Sequence, residues 1–459
     1  MIADLVVRGG TVVVPGEDPR EADLSIDGER IAGIHDPGTA PEATETIDAS
    51  GLHVFPGAVD PHVHLGNYQP LAVDVEPGTA LAAKGGVTTI INYFKHPTSY
   101  LDRVPEYLET YRADAHIDAA FHLQLLTDTH LAELERTTRE FGITSYKVNL
   151  AWKGRAEQVF GTDRPIDNGW VWSVMDEMRR IDPDRMVLNV HCENQELKNE
   201  ARRRLAGDAE PTLRFYERLA PPISEADSVQ SMLLLARETG VRTYLVHLSA
   251  ALTMEVLASH PWVGDGIVAE TCNHYLAHTY DTAPGLDATV SPPIRGPEDQ
   301  DALWAALGDG RLQTVGSDSN PQLRAAKLKD GDLWGIVPGF DGVGSIVPTL
   351  LTDGYHRRGV PLGRIAEIMA TNAAKTFGLY PKKGTIAVGS DADLVLVDLD
   401  REHTPSNEEL TGPHNDVSIY AGVAFRGWPV MTLMRGEVIA RDGYVISTPG
   451  RGEYLAREI

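Results

Sequence analysis

The stretch Gly57-Ala58-Val59-Asp60-Pro61-His62-Val63-His64 places two histidines two residues apart in an apolar run. In an extended strand, residues i and i+2 face the same way, so both imidazoles would project to one side at a separation suited to a metal ion. His-x-His also occurs on ordinary strand faces and in surface loops, where an imidazole is only a satisfied polar group. The rest of the chain decides between these two interpretations.

Four later β-like runs each end with one more candidate ligand. They cover residues 143–147, 186–191, 242–247 and 312–318, and their last residues are Lys147, His191, His247 and Asp318. Imidazole and carboxylate groups suit zinc, and two-metal hydrolytic sites hold their ions about 3.5 to 4 Å apart. Four histidines, one lysine and one aspartate could therefore form a two-metal site.

Eight candidate strands alternate with segments that can hold helices. The strands cover residues 58–63, 87–93, 119–125, 143–150, 186–192, 242–248, 266–271 and 312–317, and examples of the helices are 105–113, 131–141, 224–239 and 299–308. This alternation predicts an α/β fold, a (β/α)8 TIM-like barrel with its active site at the carboxyl ends of the strands. A flavodoxin-like open sheet also alternates, but it would not bring five separated strand ends around one point.

Both ends of the chain have a different, β-rich pattern. Short strands are predicted at residues 5–14, 23–26 and 30–34, and again at 392–399, 430–433 and 437–439, with Asp-Gly turns at 27–28 and 442–443. Since neither end is large enough for a stable β domain alone, we expect the two to combine into one small β-sandwich domain. The predicted division is 1–55 for its N-terminal part, 56–378 for the barrel, and 379–459 for its C-terminal part and tail.

Composition limits the possible partners and the compartment. The net charge is −25, and the acidic residues are spread along the chain, which argues against nucleic acid or an anionic membrane as a partner. No apolar run approaches the roughly 20 residues needed to span a bilayer, and the N-terminus has no signal-peptide pattern. Only two cysteines occur, Cys192 and Cys272, too few for a disulfide framework. These features favour a reducing cytoplasm and a small-molecule substrate.

Several motifs together carry a family resemblance. They lie at residues 57–64, 85–91, 145–147, 190–194, 246–249, 269–272, 291–295 and 315–318, and the tail from 420 to 457 adds Gly427-Trp428-Pro429. In this set and order the chain resembles the hydantoinase and dihydropyrimidinase group of cyclic amidohydrolases, in the amidohydrolase superfamily. The resemblance runs nearly from end to end. It is much more specific for the group than for the substrate.

The resemblance implies a ligand set. His62, His64 and Asp318 would hold one zinc ion, His191 and His247 the other, and a carbamylated Lys147 would bridge the two; other divalent metals are alternatives. Lys147 must then be buried, because burial disfavours its ammonium form. The competing interpretation is a surface lysine that extends into solvent. The relatives are usually homotetramers, so a homo-oligomer, dimer or tetramer, is expected.

The resemblance also implies a mechanism for opening a ring amide. One metal polarises the carbonyl group and a bridging hydroxide attacks it. Asp318 accepts the proton and returns it to the departing nitrogen, as general base and then general acid. Without metals, Asp318 in Gly-Ser-Asp-Ser would be read as a helix cap or turn residue.

Four positions are predicted to contact the substrate: Trp152, Ser291, His274 and Gly339. Hydantoinases usually have a tyrosine at the position of Trp152, whose hydroxyl group donates to the oxyanion, and more often glutamine at that of His274. For His274 a packing role is the competing interpretation. Gly339 lies in a glycine-rich stretch, 335–348, which either approaches the ligand closely or forms a flexible loop.

The leading hypothesis is a metal-dependent hydrolase of a hydantoin, dihydropyrimidine or related cyclic amide or imide. An allantoinase-like ureide hydrolase stays open, as do a non-catalytic scaffold of the same fold and a one-metal deaminase that does not need Lys147. Dihydroorotase is disfavoured, because His64 is followed by Leu65-Gly66-Asn67 and not by a Leu-Arg pair that would clamp a carboxylate.

Overall fold

The computed structural model describes residues 2–162, 164–207, 210–329 and 333–458. Within these residues seventeen strands form two sheets. One sheet contains β1 (Ala3–Val12), β2 (Arg20–Asp27), β3 (Arg30–His35), β4 (Ala43–Asp48), β5 (His53–Pro56), β14 (Leu394–His403), β15 (Phe425–Met434), β16 (Glu437–Arg441) and β17 (Tyr444–Val445). The other contains β6 (Ala58–Val63), β7 (Val87–Phe94), β8 (Asp118–Gln124), β9 (Ser145–Asn149), β10 (Val187–His191), β11 (Arg242–Leu245), β12 (Ile267–Cys272) and β13 (Thr314–Gly316).

The second sheet is a nearly closed parallel barrel. Its strands follow chain order from β6 to β13, and its two edges meet where Val63 bridges to Ser319. Every predicted barrel strand is present, so the predicted (β/α)8 barrel is confirmed. β11 and β13 end earlier than predicted, because the backbone of His247 and Asp318 beyond them has positive φ, 44° and 49°. A strand cannot continue through that conformation.

Helices fill the intervals between the barrel strands and extend beyond the last. They are α1 (Leu71–Lys84), α2 (Tyr100–Asp114), α3 (Asp128–Ala132), α4 (Leu134–Phe141), α5 (Ala156–Phe160), α6 (Asn168–Ile181), α7 (Gln195–Leu205), α8 (Leu213–Arg218), α9 (Pro222–Thr239), α10 (Ala251–Ala258), α11 (Asn273–Ala277), α12 (Pro297–Asp309), α13 (Arg324–Leu328), α14 (Ile346–Thr349), α15 (Leu362–Ala366) and α16 (Asn372–Thr376). α9 shows why such segments are helical: Pro222 at its first position needs no N–H partner, and Gly240 takes the left-handed conformation after its last turn. No helix in the described ranges is both long and apolar enough to cross a bilayer.

The first sheet joins the two ends of the chain. β5 pairs with β14 in antiparallel register, with Val54 opposite Leu396, and a separate apolar core includes Leu24 and Leu394. The predicted small β domain built from both termini is therefore confirmed, and both Asp-Gly turns connect paired strands. The boundaries after residues 55 and 378 stay a prediction.

Sequence patterns missed three strands, β4, β5 and the two-residue β17, and the path of the tail. β4 is mostly exposed and polar, and β5 has only four residues, so neither shows a periodic apolar pattern. The tail packs against the amino-terminal ends of barrel strands, where Leu455 N–H donates to Ala119 O at 2.8 Å and Arg457 Nη1 donates to Ser145 Oγ at 2.7 Å. This contact lies opposite the barrel face that carries the candidate ligands.

Candidate active site

The barrel strands place all six candidate ligands at or near their carboxyl ends. His62 lies in β6 and His64 just after it, Lys147 lies in β9, His191 ends β10, His247 follows β11 and Asp318 follows β13. Parallel strands in a barrel end on the same rim, so residues far apart in sequence meet there.

Four of the six side chains converge on one point. His62 Nε2 lies 3.2 Å from His64 Nε2 and 3.0 Å from Lys147 Nζ. Asp318 Oδ1 lies 3.3 Å from His62 Nε2 and 3.2 Å from His64 Nε2. One nitrogen of each histidine and one aspartate oxygen all lie within 4.8 Å of one another, the arrangement of a candidate metal site.

The other two histidines form a pair beside this cluster. The rings of His191 and His247 meet edge to face with centroids 4.4 Å apart, and the ring of His247 stacks 5.3 Å from that of His62. The backbone of His247 and Asp318 has positive φ, which costs about 1 to 3 kcal/mol at a residue other than glycine. Such strain concentrates where a side chain must be aimed at a functional site.

Two buried glutamates orient the histidines. His62 Nδ1 donates to Glu270 Oε1 at 2.7 Å, and Glu270 also accepts from the backbone N–H of His247 at 2.9 Å. His191 Nε2 donates to Glu193 Oε2 at 2.6 Å. With the carboxylates as acceptors, the ring protons lie on His62 Nδ1 and His191 Nε2, and the other ring nitrogens, His62 Nε2 and His191 Nδ1, are the ones that could bind a cation, as in histidines with a carboxylate behind them.

Sequence reasoning gave neither glutamate a role. Glu193 follows His191 by two residues, and Glu270 is a fully buried carboxylate within an apolar strand, β12. A charged group in such a strand indicates a buried polar partner, because burying a carboxylate without one is energetically costly. Burial raises the pKa of Glu270 to about 8. Burial also acts to raise the pKa of Glu193, but Lys198 and His191 outweigh it and lower that pKa.

Lys147 is buried and not a surface lysine. Its side chain is only 3% exposed, with Nζ 4.2 Å from the centroid of the Tyr93 ring. Burial lowers the pKa of its ammonium group to about 8, although Asp318 and Glu270 oppose the shift. A neutral amine, the form that can react with carbon dioxide, is therefore accessible near neutral pH.

The donor set fits divalent cations. Burial lowers the pKa of His62, of His191 and of His247, so these rings are neutral at pH 7 and can act as ligands. His247 Nδ1 is buried and has no hydrogen-bond partner in the described residues. A bound cation would satisfy this atom, and nitrogen and oxygen donors of this kind suit zinc.

Of the four predicted substrate-contacting residues, Ser291 and His274 lie beside the cluster, and Trp152 lies on the same rim. Trp152 lies in the turn after β9 and stacks on Phe160 with ring centroids 5.1 Å apart. Ser291 Oγ donates to Glu193 Oε2 at 2.8 Å. His274 is fully buried against Tyr275 and close enough to Asp318 that the two charges interact, but burial dominates and lowers the pKa of His274 to about 3.

Gly339 is placed differently. Its N–H donates to Thr289 O at 3.0 Å, and its carbonyl oxygen accepts from Gln322 Nε2 at 2.8 Å and from Lys327 Nζ at 2.6 Å. Its φ is 121°, and an added Cβ would lie 3.0 Å from Asn320. Glycine is therefore required here for backbone conformation and close packing, and both backbone polar groups already have protein partners.

The comparison with known proteins agrees with this geometry. The profile of the Amidohydrolase family matches residues 53–439. The chain belongs to the amidohydrolase family. It is 34% identical to a D-hydantoinase of Geobacillus stearothermophilus, over 98% of this chain and 96% of that protein, and 34% identical to an allantoinase of Desulfitobacterium hafniense, over 97% of each.

Solved structures give the same result. A crystal structure of a dihydropyrimidinase from Brevibacillus agri superimposes with a TM-score of 0.88 at 30% identity, over 99% of this chain and 98% of that chain. A crystal structure of a D-hydantoinase gives 0.88 at 32% identity over 98% of each. The predicted resemblance is thus confirmed, and with it the predicted enzyme class, a cyclic amidohydrolase.

Proposed function

We propose that this amidohydrolase opens a hydantoin, dihydropyrimidine or related cyclic amide or imide with the help of two divalent metal ions. One observation carries the proposal: His62, His64, Lys147 and Asp318 converge on one point, with the pair His191 and His247 beside it. Similarity to a hydantoinase, a dihydropyrimidinase and an allantoinase supports the same reaction type.

We assign the ligands as follows. His62, His64 and Asp318 would hold one ion and His191 and His247 the other, and Lys147, as its carbamate, would be a ligand of both. Zinc suits this donor set, with other divalent metals as alternatives. When bound, the metals polarise the ring carbonyl group and lower the pKa of water so that hydroxide is available at neutral pH.

Asp318 is the proposed proton carrier. Burial acts to raise its pKa, but the hydrogen bond and charge of His64 outweigh this and lower it, so the carboxylate is ionised at neutral pH. It accepts a proton from the attacking water and passes it to the ring nitrogen as the C–N bond breaks. Trp152, Ser291 and His274 are proposed to surround the ring, and Gly339 to hold its loop against Asn320.

A second candidate is an allantoinase-like ureide hydrolase, because an allantoinase matches the chain at the same 34% identity as a hydantoinase. A non-catalytic scaffold is less well supported, since the ligand set is complete. Rates on hydantoins, dihydropyrimidines, allantoin and cyclic imides, measured with each enantiomer, would distinguish the two enzymatic candidates.

The decisive experiment combines metal content with activity. Protein loaded with zinc in bicarbonate is expected to hold about two zinc ions per chain and to hydrolyse at least one ring amide. His62→Ala should lower kcat/KM about a thousandfold or more, whereas His260→Ala, which removes a histidine that bonds to Gln230 away from the site, should leave it unchanged.

Two results would contradict the proposal. One is less than one bound metal per chain, together with no turnover of any ring amide. The other is full activity and metal content in Lys147→Ala, which would favour a one-metal deaminase.

We further propose a cytoplasmic homo-oligomer, dimer or tetramer, whose partner is the small-molecule substrate. Cys192 and Cys272 are buried and unpaired, which suits a reducing compartment. The proposed domains are 1–55 with 379–459, and 56–378. Light scattering after gel filtration tests the assembly, and a monomer at micromolar concentration would contradict it.

A further inference from the structure

Two cationic side chains flank the ring of Trp152. Lys95 Nζ lies 4.7 Å from its centroid, and the guanidinium carbon of Arg155 lies 5.0 Å from it. Neither side chain forms an ion pair or a side-chain hydrogen bond with any part of the chain that the structure describes. The aromatic face restrains both cations without neutralising them.

Lys95 and Arg155 differ from the basic side chains beside them in the same loops. The net charge is −25, so carboxylates are in large excess, and neighbouring basic side chains do have partners: Lys153 pairs with Glu196, and Arg164 with Asp128 at 3.0 Å. Lys95 and Arg155 thus have no carboxylate partner among the described residues, although the basic side chains next to them do. A local positive field inside a negative protein attracts anionic ligands.

The two cations lie at the entrance of the active site. Lys95 directly follows β7 and Arg155 follows the turn after β9, both on the rim that carries the candidate ligands. Burial lowers the pKa of Lys95, and the charge of Lys147 adds to this lowering. Burial raises the pKa of Tyr68, and the charge of Asp318 raises it further whereas that of Arg155 lowers it. The two cations and the candidate ligands thus share the rim at the carboxyl ends of the barrel strands.

Lys95 is also partly desolvated. Burial lowers the pKa of its ammonium group to about 8, with further lowering by Arg155 and Lys147, so the group is still mostly charged at pH 7. A desolvated ammonium group without a counter-ion is unfavourable. A bound anion would remove this cost and gain charge-assisted hydrogen bonds from both side chains.

We propose that the substrate is a ring amide with an anionic substituent, a carboxylate, which Lys95 and Arg155 bind beside Trp152. This rests on the proposed function and narrows its substrate class. The carboxylate is held on the loops after β7 and β9, and not by the residues after His64, where a carboxylate-clamping arginine is absent.

A matched pair of rings tests the proposal. 5-(2-Carboxyethyl)hydantoin carries the carboxylate, and 5-(2-carbamoylethyl)hydantoin is its uncharged primary amide of nearly equal shape. Hydrolysis adds one water and breaks the C4–N3 bond of each ring, giving N-carbamoylglutamate or N-carbamoylglutamine, and the substituent is unchanged. With the zinc-loaded enzyme, kcat/KM for the carboxylate should exceed that for the amide by about tenfold or more, mainly through a lower KM.

Three variants locate the preference. Lys95→Gln and Arg155→Gln should each bring the ratio of the two kcat/KM values towards one. Lys153→Gln is the matched control, because Lys153 lies in the same loop but pairs with Glu196, and it should keep the full ratio. If Lys95→Gln instead lowered both rates equally, the lysine would serve the metal centre and the proposal would be wrong.

Equilibrium binding separates this proposal from the proposed function. Calorimetry with the zinc-loaded protein should show N-carbamoylglutamate binding about tenfold more tightly than N-carbamoylglutamine, with the difference lost in Lys95→Gln. Absence of turnover of both hydantoins would count against ring-amide hydrolysis, whereas the binding comparison would still decide the anion site. Equal binding of the two products, or an unchanged difference in the variants, would overturn the inference.

Discussion

At the scale of single residues, the site depends on side chains held in unusual states. Lys147 is a buried amine with Nζ 3.0 Å from His62 Nε2, and His247 and Asp318 are held at positive φ. A buried amine and a positive φ each cost free energy in the folded protein. A bound cation would offset this cost through its bonds to these side chains. The identity of these residues therefore affects metal uptake and chemistry more than folding.

Metal uptake should depend on pH through Lys147. Carbamate formation needs the neutral amine, and burial places the pKa at about 8, so the neutral fraction rises about tenfold per pH unit below pH 8 and then levels off. The histidine ligands, whose pKa values burial lowers, are already neutral in this range. We expect the rate of zinc uptake by metal-free protein, at fixed dissolved carbon dioxide, to follow this curve from pH 6.5 to 9. A rate independent of pH or of carbon dioxide would contradict the carbamate.

Trp152 is expected to set substrate preference. Trp152→Tyr restores a hydroxyl donor at the position where hydantoinases usually have one, and a donor to an oxyanion is often worth about tenfold or more in rate. The ratio of kcat/KM for unsubstituted hydantoin to that for other ring amides should therefore rise. Trp172→Tyr, at an exposed position in α6, is the control and should leave every ratio unchanged. Unchanged ratios of kcat/KM in both variants would mean that Trp152 does not determine the substrate preference.

At the scale of elements, the spacing of strand ends positions the ligands. β13 approaches β6 so closely that a Cβ on Gly316 would lie 2.8 Å from His62 Cβ and 2.9 Å from Glu270 Oε2. The strand therefore needs a residue without a side chain to let His62 keep its bond to Glu270.

Gly316→Ala should displace His62 or Glu270 and weaken zinc binding about 10- to 100-fold, the usual effect of disturbing a residue behind a metal ligand. Competition with a chelator measures this. Gly308→Ala is the control: nothing lies within 4 Å of its added Cβ in α12, and alanine should stabilise the helix by about 0.5 to 1 kcal/mol. Equal zinc affinity in the two variants would show that the strand spacing tolerates a methyl group.

At the scale of the whole molecule, a buried charge cluster joins the barrel to the small β domain. Lys383 Nζ lies 2.6 Å from Asp118, 2.9 Å from Asp391 and 2.8 Å from Asp393. Asp118 begins β8 in the barrel, whereas Asp391 and Asp393 lead into β14. Burial acts to lower the pKa of Lys383, but the three carboxylates outweigh it and raise that pKa, so the lysine stays charged.

Lys383→Met should lower the free energy of unfolding by about 3 to 5 kcal/mol, because three buried carboxylates lose the cation they share, and only the longer ion-pair contacts of Asp118 to Arg435 at 3.6 Å and of Asp391 to Lys382 at 3.8 Å remain. Urea denaturation of the zinc-loaded protein measures the change. Lys382→Met removes the adjacent, half-exposed lysine, which lies 3.8 Å from Asp391, and should change stability by less than about 0.5 kcal/mol. A similar loss in both variants would contradict a specific role of the buried cluster.

The sequence by itself determined the barrel and the six candidate ligands. Both follow from local patterns: apolar runs of strand length alternate with helices, and each ligand type stands at a run's end, where the topology of a parallel barrel brings the ends together. The short β4 and β5 and the docking of the tail lack such a local signal.

Only the tertiary structure decided what surrounds the ligands. Glu270 reaches His62 across 208 positions of sequence, and Lys95 meets Arg155 at Trp152 from the loops of two different strands. It also showed that the backbone groups of Gly339 are already bonded within the protein. The physical reason is that the spacing of apolar residues along the chain shows which face of a helix or strand is buried. This spacing does not show which charged group from another element contacts that face. Such contacts determine histidine tautomers, pKa values and the charge around the active site.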